Sequence, residues 1–147
     1  MPNDVKWKLN SAIERLIEND RYLLETDVNE RSISHRLALY LQEAFPDWDV
    51  DCEYNRNLKN IKSLEVPTSN VSWDDTEAKT VYPDIIIHHR GIQENLLVIE
   101  IKKNNCSQFD RKKLYAFKHE LKYQYAAELI LTTGPNGGHI KKLEYTE

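Results

Sequence analysis

Cysteine is scarce in this chain: Cys52 and Cys106 are the only two, with neither the spacing of a zinc site nor the number for a disulfide framework. A reducing, cytoplasmic setting is therefore expected. No apolar run approaches the roughly 20 residues that cross a bilayer, so no membrane partner is expected. The leading Met1-Pro2-Asn3-Asp4-Val5-Lys6 lacks the charged-then-apolar pattern of a secretory signal. There are no internal repeats and no low-complexity segment. Nor is positive charge in excess: the formal net charge is −4, which alone argues against a nucleic-acid binder. Its distribution tempers that. Residues 100 to 125 hold Lys102, Lys103, Arg111, Lys112, Lys113, Lys118 and Lys122 against Glu100, Asp110 and Glu120. A local basic surface can contact phosphates on a chain that is acidic overall; a solvated helix face is the plain alternative.

Apolar material is sufficient for a core. The 147 residues are 40% hydrophobic, which suits one folded domain over residues 1–147 and is too short for two of ordinary size. Val5, Leu9, Ala12, Ile13, Leu16 and Ile17 recur at helical spacing, predicting a helix over 4–19. Residues 1–25 then form an accessory N-terminal segment, with oligomerisation a candidate role. A second helix is expected from about 26–29 to Phe45, stopped by Pro46, with Ile33, Leu37, Leu41 and Ala44 as its stripe. Residues 48–54 alternate as a half-buried strand. Residues 56–80 show no clean periodicity and read as a long loop, with Trp73, Lys59 and Lys62 available to a substrate. Two apolar strands follow, 81–87 and 96–102, joined by a short polar connection that favours an antiparallel hairpin. A helix over 107–123, a buried strand over 126–133 and a short strand over 140–145 complete the chain. The fold class is α/β, a mixed central β-sheet flanked by helices.

The two apolar strands contain charge where a core strand should have none. Asp84 begins one, Glu100 and Lys102 end the other. A buried charge costs several kcal/mol unless it is paired or bound to a metal. Alternation puts Asp84, Ile86 and His88 on one face, and Val98, Glu100 and Lys102 on one face of the next strand. If those faces coincide, two carboxylates and an ammonium collect at one end of the hairpin. Hard oxygen ligands suit Mg²⁺ or Mn²⁺, and a cation relieves the repulsion between them. Lys102 can then hold or activate a water against a phosphate. Glu30 falls in line with Ile33, Leu37 and Leu41 and points toward the sheet, as a further ligand or as the second half of a capping box with Asp27.

Glu30, Pro83-Asp84 and Glu100-Ile101-Lys102 together resemble the PD-(D/E)XK phosphodiesterase superfamily, the fold of many restriction enzymes, junction resolvases and repair nucleases. The likeness runs from Glu30 to Thr133 in the order α-β-β-β-α-β. It implies a restriction endonuclease-like core, with a divalent metal held by Asp84, Glu100 and the Ile101 carbonyl. It also implies that Lys102 positions the attacking water and that Glu30 binds or supports a second cation. Acid-x-Lys recurs at Asp4-Lys6, Glu77-Lys79, Asp110-Lys112 and Glu120-Lys122, and Pro46-Asp47 is a second Pro-Asp pair. Only Asp84 with Glu100 and Lys102 lies on adjacent apolar strands.

Other residues carry weaker signals. Glu53 ends its strand near the site, and His88 shares the Asp84 face, although a strand-end histidine is commonly a simple edge residue. Gln108 and Tyr123-Gln124 fall where some members of the superfamily carry an extra polar site residue. Arg111, Lys112 and Lys113, near a helix start, are candidates to bind nucleic-acid phosphates. Cys106 lacks an activating histidine pattern. Two functions follow. One is a metal-dependent nuclease with Mg²⁺ or Mn²⁺ as cofactor, acting on DNA in preference to RNA, as a homodimer or within a larger DNA-processing complex. The other is a catalytically inactive nucleic-acid-binding or protein-interaction module on the same fold.

Overall fold

The computed structural model describes residues 1–53, 64–66, 79–104 and 108–146. Helical spacing of apolar residues produces α1 (Asn3–Asn19), followed by a single short turn of helix, α2 (Arg21–Glu25), and then α3 (Glu30–Ala44). The extended stretches form β1 (Asp49–Cys52), β2 (Leu64–Val66), β3 (Lys79–Val81), β4 (Ile85–His89) and β5 (Glu94–Lys103). After these come α4 (Gln108–Glu120), β6 (Tyr125–Leu131) and β7 (Ile140–Thr146). The chain is thus α/β, as the sequence predicts.

Five strands make a mixed sheet in the order β1-β4-β5-β6-β7. β4 and β5 are an antiparallel hairpin, turned at 90–93 with Gly91 at φ 80°, a conformation that disfavours any residue with a Cβ. β1 pairs antiparallel with β4, and β7 with β6. β5 and β6 run parallel, which requires the α4 crossover between them.

Strand alternation divides the core into two layers. Ile85, Ile87, Leu97, Ile99, Ile101, Ala127, Leu129 and Leu131 face α1 and α3, where they meet Leu9, Ile13, Leu16, Ile33, Leu37 and Leu41. Ile86, Val98 and Ala126 face the other way, onto Leu114 and Phe117 of α4 and onto Tyr123. Each fully buried Leu, Ile or Phe contributes about 1.5–3 kcal/mol by leaving water. The helix expected to be accessory, α1, therefore supplies a full share of the main core.

Three boundaries differ from expectation. Val81 does not begin the strand that contains Ile85. It ends β3, which pairs with β2 as a separate two-stranded ribbon (Leu64 opposite Val81) inside the segment read as a loop. Pro83 explains the break, since it lacks the N–H a ladder needs. The remainder of 56–80, with Trp73, Lys59 and Lys62, lies outside the described residues. The capping box of Asp27 with Glu30 does not form. Asn29 is the cap, its side chain accepting from the Ser32 N–H at 3.0 Å, and Glu30 is the first helical residue. Asp27 instead takes left-handed backbone, φ 55°, and accepts from Lys103 Nζ at 3.1 Å and Thr133 Oγ1 at 2.8 Å. It ties the entry of α3 to the ends of β5 and β6.

Candidate active site

The faces of β4 and β5 do coincide. Ile86 pairs with Val98 and Ile85 with Ile99, so the register extended by one step sets Asp84 opposite Glu100. The two residues are latched reciprocally. The Asp84 backbone N–H donates to Glu100 Oε1 at 3.2 Å, and the Ile101 N–H donates to Asp84 Oδ2 at 2.8 Å. Glu100 is wholly buried, whereas Asp84 reaches partial exposure. Lys102, two residues along on the Glu100 face of β5, is half-buried.

Asp84 opens into a cavity of about 530 Å³ lined by Asn29, Glu30, Arg31, Ser34, Cys52, Glu53 and Asp84. The N-terminal turn of α3 forms one wall and the end of β1 another. Glu30 thus shares a cavity with Asp84, placed there by the Asn29 cap and by the Asp27 tie to Lys103. Glu53 follows β1 in left-handed backbone, φ 43°, and its N–H donates to the Asp84 carbonyl at 3.0 Å. A bulky residue in that region carries strain of the order of 1–3 kcal/mol, the kind stored where side-chain placement matters. Its carboxylate meets Arg31 Nε at 3.4 Å. The Cys52 thiol donates to the Ser34 carbonyl at 3.5 Å. Local burial of the sulfur, then the charges of Asp51, Glu53 and Asp84, push that thiol up to about 11. It is protonated at neutral pH and no nucleophile.

The donor set suits a hard cation. Among the described residues no three His, Cys, Asp or Glu side chains form a ready ligand cluster. Asp84 and Glu100 are a carboxylate pair, and Mg²⁺ is characteristically bound through one or two carboxylates, with water and substrate phosphate completing its shell. Glu30 lines the same cavity without closing a three-carboxylate cluster.

His88 lies elsewhere. It is wholly buried, with Nε2 donating to Asp51 Oδ2 at 2.6 Å, and Arg90 grips the same carboxylate with Nε at 2.9 Å and Nη2 at 2.6 Å. Burial raises the Asp51 pKa, but the hydrogen bonds from His88 and Arg90 and their charges outweigh it, holding Asp51 well below the usual carboxylate range. Lys112 is exposed on α4. The side chains of Arg111, Lys113 and Gln108 lie outside the described residues, as does Cys106. Tyr123 is buried in the α4 layer.

Sequence reasoning missed Glu128. It is 1% exposed on β6, directly opposite Glu100 in the parallel register, and pairs with Lys142 Nζ at 3.3 Å. The signal was available: Ala126-Ala127-Glu128-Leu129-Ile130-Leu131 carries a charge in an apolar run, as Asp84 and Glu100 do. Arg31 was also missed, since a lone arginine in the first turn of a helix has no pattern. Comparisons of the chain with protein-family models, with curated proteins and with solved structures returned no match.

Proposed function

We propose that this protein is a metal-dependent nuclease hydrolysing phosphodiester bonds, in DNA by preference, with Asp84 and Glu100 as the metal ligands. The observation that carries the reading is the reciprocal latch between Asp84, which opens into the cavity, and the wholly buried Glu100 behind it. Each carboxylate is fixed by a backbone N–H of the other's neighbourhood, so the pair is oriented before any ligand arrives. The order α3-β1-β4-β5-α4-β6, antiparallel through β5 and then parallel, supports a restriction endonuclease-like core, to which α1 and β7 are additions.

Bound Mg²⁺ or Mn²⁺ would supply charge to the developing phosphoryl oxygens and lower the pKa of water. The chain's own residues do the rest. Asp84 and Glu100 orient their oxygens through the Ile101 and Asp84 amides, with the Ile101 carbonyl as the third donor. Lys102 donates from its ammonium to the attacking water, holding it against phosphorus. Glu30 and Glu53 order solvent at the wall of the cavity, Glu30 in support of a second cation.

Incubation of the purified protein with single- and double-stranded DNA and Mg²⁺ or Mn²⁺ tests this. Cleavage is expected, and Asp84→Ala should abolish it. Activity equal in wild type and Asp84→Ala would overturn the assignment. DNA binding with no cleavage under either metal would favour the second reading, an inactive binding or interaction module. The absence of a three-carboxylate cluster among the described residues is the observation on that side. The acidic net charge suits a homodimer or a larger DNA-processing complex, in which a partner adds basic surface.

A further inference from the structure

The cavity wall contains one cation among the described residues, Arg31, against the carboxylates of Glu30, Glu53 and Asp84. A phosphodiester entering that cavity meets net negative charge and is repelled unless positive charge faces it. A single divalent ion on Asp84 and Glu100 is largely neutralised by the two carboxylates that hold it. Lys102 is engaged with the attacking water in the proposed mechanism, so a second cation at the cavity wall would balance the phosphate. Arg31 stands on the first turn of α3, beside Glu30, with its side chain 81% exposed and able to swing. Its contact with Glu53, Nε to Oε1 at 3.4 Å, is long and solvated, the sort of pair worth little on its own. A phosphate offers the same planar fork a bidentate, doubly charge-assisted partner, which Glu53 does not equal.

We infer that Arg31 is the phosphate-holding residue of this site, resting on Glu53 until a phosphodiester displaces it. The inference rests on the nuclease reading for its substrate class. It adds a recognition element and a competitor built into the cavity wall. Glu53 sets how readily Arg31 is released: its left-handed backbone at φ 43° keeps the carboxylate at the wall, within reach of the helix. Apart from Arg31, the described lining of the cavity has no cation to perform the same service.

Fluorescence anisotropy of a labelled DNA duplex separates this from the nuclease reading. All proteins carry Lys102→Ala, so that binding is read without turnover, in Mg²⁺ over a salt series. Adding Arg31→Ala should weaken binding severalfold, uniformly across DNA sequences. It should also reduce the slope of log K against log salt by about 0.9, the value for one phosphate contact on duplex DNA. Arg31→Lys should restore most of the slope and only part of the affinity. Glu53→Gln should tighten binding by more when Arg31 is present than when Arg31 is alanine, because only in the first case does it also release the arginine. An unchanged slope in Arg31→Ala, with the parent protein binding and the Lys102 form cleaving, overturns the Arg31 assignment and leaves the nuclease standing. A parent protein that binds no DNA, together with a Lys102 form that neither binds nor cleaves it, overturns both. The exposed ion pair contributes little to folding, so the variants remain folded, which circular dichroism verifies.

Discussion

At the scale of single residues, the proposed site is defined by where charge sits in apolar strands. Glu100 is buried with Oε1 accepting from the Asp84 amide, and Asp84 Oδ2 accepts from the Ile101 amide. Beyond the last rung of the β4-β5 ladder, Ile85 with Ile99, these two side chains take up the amides of Asp84 and Ile101. In the proposed mechanism Lys102, half-buried on the same face as Glu100, is the group with a removable role. Lys102→Ala should lower the cleavage rate by about 10²–10⁴-fold, the range for a group positioning or activating the nucleophile. Metal affinity, read by calorimetry, should be unchanged, because its ammonium is not a ligand. A variant that loses metal binding and activity together would make Lys102 structural. The juxtaposition of Asp84 with Glu100 was legible because polar residues interrupt runs of Ile, Leu and Val. Glu128 carries the same signature and was overlooked, because no flanking lysine or proline drew attention to it. Arg31 was not legible, since its place in the cavity depends on how α3 meets the end of β1.

Elements were legible where periodicity is strong and not where a network decides. The α1 and α3 stripes, the β4-β5 hairpin and the buried β6 follow from helical or strand alternation of apolar residues. The start of α3 did not, because Asn29 and Asp27 both suit a cap. The choice was made by Lys103 and Thr133, which bind Asp27 from strands more than 70 residues away. The β2-β3 ribbon has strands of only three residues, too short for a period to mark it. A second network fixes β1 to β4 through Asp51, His88 and Arg90. Asp51→Ala leaves the wholly buried His88 and the half-exposed Arg90 without their carboxylate, and should cost about 3 kcal/mol at pH 7, the lower end for breaking a buried pair. The pH dependence has a definite sign. The folded pKa of Asp51 is depressed, so the contribution is complete above the unfolded value of about 4 and is lost as pH falls below it. Urea denaturation at pH 7 should therefore show a larger gap between wild type and Asp51→Ala than at pH 3. A gap that is the same at both values would contradict the ionic origin of the clamp. Because Cys52 ends β1 and Glu53 follows it, loosening the strand should also displace one wall of the cavity.

At the scale of the whole molecule, the sheet has α1 and α3 on one side and α4 on the other, with the carboxylate pair where β4 begins. If Glu100 is a metal ligand, as proposed, a bound cation relieves the repulsion of its carboxylate with Glu128 opposite it on β6. Glu100→Gln keeps an oxygen to accept from the Asp84 amide and removes one buried charge. The variant without metal should therefore melt above the wild type. Adding Mg²⁺ should raise the wild-type Tm, with stabilisation of about 2.7 kcal/mol at a hundredfold excess over Kd, and EDTA should reverse it. Glu100→Gln should be insensitive to both. Differential scanning calorimetry reads all four melts, and a Glu100→Gln protein that still responds to Mg²⁺ would count against Glu100 as a ligand. The claim beneath every other is that Asp84 and Glu100 together bind a divalent cation. Isothermal titration of the metal-free protein with Mn²⁺ tests it most directly. Saturable heat is expected for the wild type and none beyond dilution for Asp84→Ala or Glu100→Gln, both still folded. A wild type that takes up no Mn²⁺, or variants that take it up equally well, would contradict it.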